Sequence, residues 1–255
     1  MPPRAAALGR LLGVGLLVAW IGVLLGAGGL VFTPVPKVRR RFRIWLFQAG
    51  PRWILGWLRT DVDVAGPLPS PPFLLVANHL SYLDVLVLAS RLPGCVFVAK
   101  ADVQSWPLLG PICKGFGTIF IDREDRRDIP RALSRIETAL TEGAGVVLFP
   151  EGTSTQGATV ASFRSPLLAL PARAASPVHA AAIGYRSPEV CWWGDAELLP
   201  HLLHLCEMPR IQAKVCFCDA PISSDDRKRL AEELRAAVLG KQSFLSSGHA
   251  GSTIQ

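Results

Sequence analysis

No acidic residue occurs among the first 60 positions, although they hold nine Lys or Arg. Residues 61–255 carry 18 basic and 20 acidic side chains, so the net charge of +7 sits wholly in the N-terminal quarter and the remainder is close to neutral. That leaves the bulk of the chain without a broad basic patch for an acidic partner. Within the basic quarter there is a second absence: no charged residue at all from Leu11 to Pro36. A third concerns cysteine. Cys95, Cys113, Cys191, Cys206, Cys216 and Cys218 contain no C-x-x-C pair, and their spacings match no common metal or disulfide framework. The C-x-C at 216–218 falls on an expected strand, which turns both thiols to one face. Read simply, the six are reduced, half-buried small hydrophobes of a cytosolic domain, with no metal and no cofactor expected.

What fills the uncharged gap is LLGVGLLVAWIGVLLGAGGLVF, long enough to cross the hydrocarbon core of a bilayer. A cleaved signal peptide has a shorter apolar region ending in small residues, and AGG at 27–29 keeps that alternative open. Lys37, Arg39, Arg40, Arg41 and Arg43 follow the run, against Arg4 and Arg10 before it. By the positive-inside rule the rest of the chain then faces the cytosol. The expectation is one span at about 11–33 in the inner (cytoplasmic) membrane, single-pass or peripheral. Residues 38–60, VRRRFRIWLFQAGPRWILGWLRT, interleave arginine with Trp45, Phe47, Trp53 and Trp57, and Gly50-Pro51 is expected to divide them into two short helices. Nucleic-acid patches also mix Arg with aromatics. Attachment to an apolar span favours a headgroup interface and no nucleic-acid partner.

GPLPSPP (66–72) reads as a linker between this anchor and a domain over 61–240. Strand and helix signals then alternate: strands at 73–77, 95–99, 118–121, 146–149, 178–183 and 211–217, helices at 81–92 and 128–143, and a Pro/Gly-rich loop through 117. Gly143 is a plausible C-cap. A last helix opens at Ser224, Asp225 and Asp226 and ends at Gly240, leaving 241–255 as a disordered tail. The pattern predicts an α/β fold, a central mostly parallel sheet flanked by helices, preceded by the N-terminal transmembrane or interfacial helical segment.

Polar clusters follow four of the strands: Asn78-His79, Lys100, Asp122-Arg123 and Glu151-Gly152-Thr153. Functional groups of such sheets gather at strand ends. His79 and Asp84 stand five apart at the start of a helix. They are either an ordinary capped helix start or a proton-handling pair, in which Asp84 holds one ring nitrogen and leaves the other to accept a proton. No serine or cysteine nucleophile accompanies them. In LFPEGTST (148–155) a carboxylate, a glycine and a hydroxyl leave a strand where backbone N–H groups can meet an anion; the plain alternative is a turn. Arg123 carries a fork suited to phosphate, or pairs with its acidic neighbours. Lys100 is a second such cation. His201 and His204, spaced i, i+3, have no carboxylate or third histidine around them and read as packing or solvent-facing groups.

Together, NHLSYLD, then AK with WPLLG and GTIFIDRED, then FPEGT, across about residues 72–185, resemble the glycerolipid acyltransferases of the 1-acyl-glycerol-3-phosphate acyltransferase type. The resemblance implies that His79 is the general base and Asp84 its orienting partner, so that a lysolipid hydroxyl attacks an acyl thioester without an acyl-enzyme. It implies substrate-binding roles for Asn78, Lys100, Arg123, Glu151, Gly152, Thr153 and Arg164, and places Pro177 in an apolar block beside the site. The implied reaction takes an acyl group from acyl-CoA or acyl-carrier protein (acyl-ACP) to 1-acyl-sn-glycerol-3-phosphate, giving phosphatidic acid, with membrane lipids and lysophospholipid as partners. Two departures stand out. Ser154 follows E-G-T where many members have Arg, and FRSP (163–166) replaces F-K-x-G, keeping a cation at Arg164. A branch that includes lyso-ornithine lipid acyltransferases, whose acceptor has no phosphate, looks similar there and at WWGDAELLPHL. A thioesterase or lipase using the same base, told apart by acyl release without an acceptor, is a further alternative, as is a non-catalytic membrane tether.

Overall fold

Short runs of apolar residues, too short for stable helices and buried on both faces, pair as strands. In the computed structural model, which describes residues 4–122, 125 and 127–247, these are β1 (Thr60–Ala65), β2 (Leu74–Ala77), β3 (Cys95–Lys100), β4 (Ile119–Ile121), β5 (Gly145–Leu148), β6 (His179–Tyr185) and β7 (Ile211–Phe217). They form one sheet in the order β1-β7-β6-β2-β5-β3-β4. Every neighbouring pair is parallel except β6 with β7. The C-terminal ends of β2, β3, β4, β5 and β6 therefore share one edge, and β2 and β5, buried at every position, run through the centre.

The helices are α1 (Arg4–Val31), α2 (Pro36–Trp57), α3 (Leu83–Ala89), α4 (Leu109–Phe116), α5 (Asp128–Thr141), α6 (Ala169–Arg173), α7 (Leu198–Glu207) and α8 (Arg227–Ser247). One sheet face packs Val76, Val146 and Leu148 on Ile136 of α5 and on Leu230 and Leu234 of α8. The other packs Leu75, Val147 and Val215 on Val87 and Leu88 of α3 and on Leu55 of α2. A third apolar cluster joins α1, α2 and α7 through Val14, Ile21, Leu46 and Leu205.

The α/β architecture is the expected one; several local expectations are not met. DVDVA, assigned no strand, is β1. Its alternating pattern suits a sheet edge, and Asp61 and Asp63 pair across to Arg210 and Lys214 beside β7. GPLPSPP thus connects two strands inside the domain rather than separating anchor from domain. The loop before residue 117 holds a 3₁₀ turn, Ala101–Ser105, and α4. Gly50-Pro51 does not break α2. Gly50 packs so closely on α1 that a Cβ there would meet Ile21 Cδ1 at 2.9 Å, and Gln48 and Arg52 bond to the carbonyls of Leu92 and Ser90 on either side of the proline. Those anchors offset the lost N–H and ring clash of an internal proline. Nor does Gly240 end α8, which runs to Ser247, so the first seven residues of the expected disordered tail are helical and 248–255 lie outside the described residues. Lys241 pairs with Asp219, and Gln242 bonds to the Gly157 carbonyl, which ties the extra turn down. Gly143, at φ +79°, follows α5 as a C-cap, and Asp226 accepts the N–H groups of Lys228 and Arg229 at the start of α8.

The helix α1, long and apolar enough to cross a membrane, contains nearly all of the expected span. One of its faces rests on the domain. Ala7, Val14, Ile21 and Gly28, seven residues apart, are buried, whereas Leu8, Leu12, Leu16, Trp20 and Val23 are exposed. Arg10 is not a free flanking charge: it donates to the carbonyls of Cys206 and Met208 at the end of α7.

Candidate active site

At the exit of β2 the chain turns sharply, and the turn is built around Asp84. Its Oδ2 accepts the N–H groups of Leu80 (2.6 Å) and Ser81 (3.0 Å) and lies 2.8 Å from His79 Nδ1. Its Oδ1 accepts the Tyr185 hydroxyl at 2.7 Å. The carboxylate is fully buried. The two readings of H-x4-D therefore coincide, since one carboxylate organises the turn that starts α3 and also holds the imidazole. With Nδ1–H directed at the carboxylate, Nε2 keeps its lone pair. The ring is about one-fifth exposed and stacks on Phe149, with centroids 4.3 Å apart.

Glu151, delivered by β5, sits under this turn. Its Oε1 accepts the His79 N–H at 2.7 Å and its Oε2 accepts the Ala161 N–H at 2.8 Å. Burial raises its carboxyl above the ordinary range, while those two N–H groups and His79 favour the charged form. The Thr155 N–H donates to the His79 carbonyl at 2.9 Å, so the loop after β5 grips the loop after β2 from both sides. Asn78 is likewise committed: its Nδ2 donates to the Ile183 carbonyl and its Oδ1 accepts the Ile183 N–H, which extends the β2–β6 pairing by one step. Each polar atom of these two buried side chains is thus engaged by a backbone group.

Other expected residues do reach solvent. Lys100, at the end of β3, pairs with Asp102 at 2.5 Å. Thr153 is exposed. Gly152, at φ +84°, adopts a left-handed conformation that allows the Arg164 side chain to lie over it; a Cβ would stand 2.9 Å from Arg164 Nε. Among the described residues, Arg164 is the charged side chain lining a cavity of about 110 Å³ whose walls include the apolar Val98, Ile121, Phe149 and Leu168. Phe149 thus has one ring shared between the cavity and His79. Arg123 lies outside the described residues; Asp122, before it, donates its N–H to Asp128 Oδ2. Pro177 directly precedes the isolated bridge Val178–Ile222 at the start of β6. His201 is held between the Tyr82 hydroxyl (3.0 Å) and the Glu189 carbonyl (3.1 Å), a packing role. Among the described residues, no three His, Cys, Asp or Glu side chains cluster as metal ligands would.

Two contributors escaped the sequence reading, Phe149 and Tyr185. Phe149 stood inside the quoted FPEGT. Tyr185 ends β6, on the same edge as the four polar strand ends, and extending that rule to a fifth strand would have singled it out.

At the C-terminal edge of a mostly parallel sheet, a buried carboxylate thus holds a histidine beside an apolar cavity to which, among the described residues, one guanidinium is added. A model of the family described as Acyltransferase matches residues 60–184. The chain is 33% identical to the lyso-ornithine lipid O-acyltransferase of Pseudomonas aeruginosa over 243 residues, 92% of this chain and 90% of that protein. It is 28% identical to the 1-acyl-sn-glycerol-3-phosphate acyltransferase of Neisseria meningitidis over 238 residues, 79% and 93% of the two chains. The crystal structure of the 1-acyl-sn-glycerophosphate (LPA) acyltransferase PlsC from Thermotoga maritima shares the fold, with a TM-score of 0.66, 20% identity and coverage of 94% of this chain and 98% of that one. The chain belongs to the acyltransferase family and is a lysolipid acyltransferase.

Proposed function

We propose that His79 Nε2 takes the proton from a lysolipid hydroxyl as that oxygen attacks the carbonyl of an acyl thioester, carried by CoA or by acyl carrier protein. The C–O bond forms, the C–S bond breaks, and the imidazolium returns its proton to the departing thiolate. Asp84 stabilises the imidazolium in between. The observation that carries this reading is the His79–Asp84 pair, with Nδ1 engaged at 2.8 Å and the ring partly exposed beside the cavity.

For the acceptor we infer lyso-ornithine lipid. A phosphate monoester brings a charge of about −1.5 to −2 and calls for several cations. Here Ser154 stands where many members carry Arg, Lys100 is paired with Asp102, and among the described residues that line the cavity Arg164 is the charged one. The Arg164 guanidinium matches the carboxylate of an ornithine headgroup. Lysophosphatidic acid is the second reading, favoured by the likeness to the Neisseria protein. Membrane attachment follows from the exposed apolar face of α1, and the Lys/Arg-rich start of α2 favours the cytosolic side of the inner membrane.

The test is the purified full chain in detergent micelles, given lyso-ornithine lipid and lysophosphatidic acid side by side with acyl-CoA and acyl-ACP. A higher kcat/KM for lyso-ornithine lipid is expected, and His79→Ala lowers the rate about 10²–10⁴-fold. Full activity in His79→Ala overturns the mechanism. Preference for lysophosphatidic acid overturns the acceptor, and faster acyl release without any acceptor identifies a hydrolase.

A further inference from the structure

The family match stops at residue 184, and the next side chain touches the catalytic pair. Tyr185 is the last residue of β6, where its register with Ala213 of β7 ties its backbone to the sheet. Its hydroxyl donates to Asp84 Oδ1. The other oxygen, Oδ2, already receives His79 Nδ1 and two backbone N–H groups. A carboxylate's terminal torsion is broad and about two-fold, so donors on one oxygen alone leave it free to swing about that anchor. A donor on the second oxygen, supplied by a different strand, fixes the plane. Burial first, and then the Asp84 charge, hold the Tyr185 phenol well above its ordinary range, so it remains protonated and acts as donor.

We propose that Tyr185 is a positioning residue for acyl transfer: its hydroxyl holds the Asp84 carboxylate in the plane that presents Oδ2 to His79 Nδ1. This rests on the reading of His79 as general base. The hydroxyl also withdraws part of the carboxylate's negative charge from the imidazole, so it adjusts how firmly the imidazolium is held. The other titratable groups facing the pair come from three elements. Glu151, after β5, lies against the His79 N–H; Tyr82, ahead of α3, lies beside Tyr185; Cys191, before α7, lies near Asp84. Burial pushes the Tyr82 hydroxyl up and the Cys191 thiol up to about 11, so neither carries charge at neutral pH.

The experiment compares wild type, Tyr185→Phe and Asp84→Asn as full chains in detergent micelles. It reads kcat, KM, the pH profile of kcat, thermal stability and the far-downfield proton resonance of the His79 Nδ1–H···Asp84 bond. In Tyr185→Phe, kcat falls about tenfold while the lysolipid KM stays within about twofold, because the residue acts on the base and not on substrate. The acidic limb of the profile moves up by roughly half a pH unit, since Asp84 with one donor fewer holds the imidazolium more tightly. The downfield resonance shifts in Tyr185→Phe and is lost in Asp84→Asn. Should Tyr185→Phe fold poorly, 3-fluorotyrosine encoded at position 185 keeps the shape and strengthens the donor, and the limb then moves down. A lowered melting temperature with kcat, profile and resonance unchanged shows a packing role only and overturns the proposal. A shifted resonance with an unmoved pH limb instead overturns the general-base reading while leaving the Tyr185 contact intact.

Discussion

Replacing Glu151 with Gln separates a scaffold role from a headgroup-binding role, because it keeps the shape and changes one hydrogen-bonding face. Both carboxylate oxygens accept backbone N–H groups, from His79 at 2.7 Å and from Ala161 at 2.8 Å, and the side chain is buried. A glutamine oxygen can serve one of these donors; its NH₂ must then face the other, donor against donor. One charge-assisted bond is lost, the second becomes neutral, and a backbone N–H is stranded, for a combined cost of about 2–4 kcal/mol. In a chain of this size each kcal/mol lowers the melting temperature by about 2–4 °C, so a fall of roughly 5–15 °C is expected by scanning fluorimetry. The strained side includes the backbone of His79 itself. A base misplaced by about 1 Å loses on the order of 10²-fold in kcat, whereas the lysolipid KM is untouched by a residue that does not meet the lysolipid. An unchanged melting temperature together with a raised acceptor KM and normal kcat would refute this reasoning and return Glu151 to the binding site.

Gly152→Ala places a Cβ at φ +84° and 2.9 Å from Arg164 Nε, so it costs about 1–2 kcal/mol and displaces the guanidinium. The expected kinetic signature is a raised lysolipid KM with a smaller change in kcat. Gly13→Leu drives a side chain into Trp57, which packs on Gly13 and donates its indole N–H to the Arg10 carbonyl. Detachment of α1 should then appear as faster limited proteolysis between α1 and α2. Burial holds His201 below the ordinary histidine range while Nδ1 accepts the Tyr82 hydroxyl. A depressed folded value means the stabilisation is present above the ordinary histidine value and is lost as pH falls through the folded one. His201→Gln should flatten the dependence of melting temperature on pH below about 6.5.

Much of the sheet was legible because buried parallel strands read as unbroken apolar runs, and LLVA, VVL and HAAAI were found where they stand. DVDVA escaped because an edge strand carries its apolar residues singly, and the basic partners of its aspartates, Arg210 and Lys214, lie about 150 residues away in sequence. Gly50-Pro51 and Gly240 misled for a shared reason. Each is a local breaker overruled by contacts from distant chain, Ile21 on one and the Asp219–Lys241 pair beside the other. Propensity is a statement about neighbours along the chain, and these helices are held by neighbours across it.

The candidate site was legible in the same partial way. A polar residue at a strand end announces chemistry or architecture, and its position in the sequence does not separate the two. What separates them is where the side chain leaves the turn. Asn78 continues the β2–β6 ladder and is consumed by Ile183; Glu151 points beneath the turn and is consumed by the backbone of His79 and Ala161. His79, one residue past Asn78, keeps a partly exposed ring. Arg164 reaches the cavity over Gly152, where a Cβ would stand 2.9 Å from its Nε. The motif residues thus divide into those that hold, Asn78, Asp84 and Glu151, and those that reach, His79, Lys100, Thr153 and Arg164. That division suits the proposed base, whose Nε2 must stay aligned while an apolar substrate enters beside it.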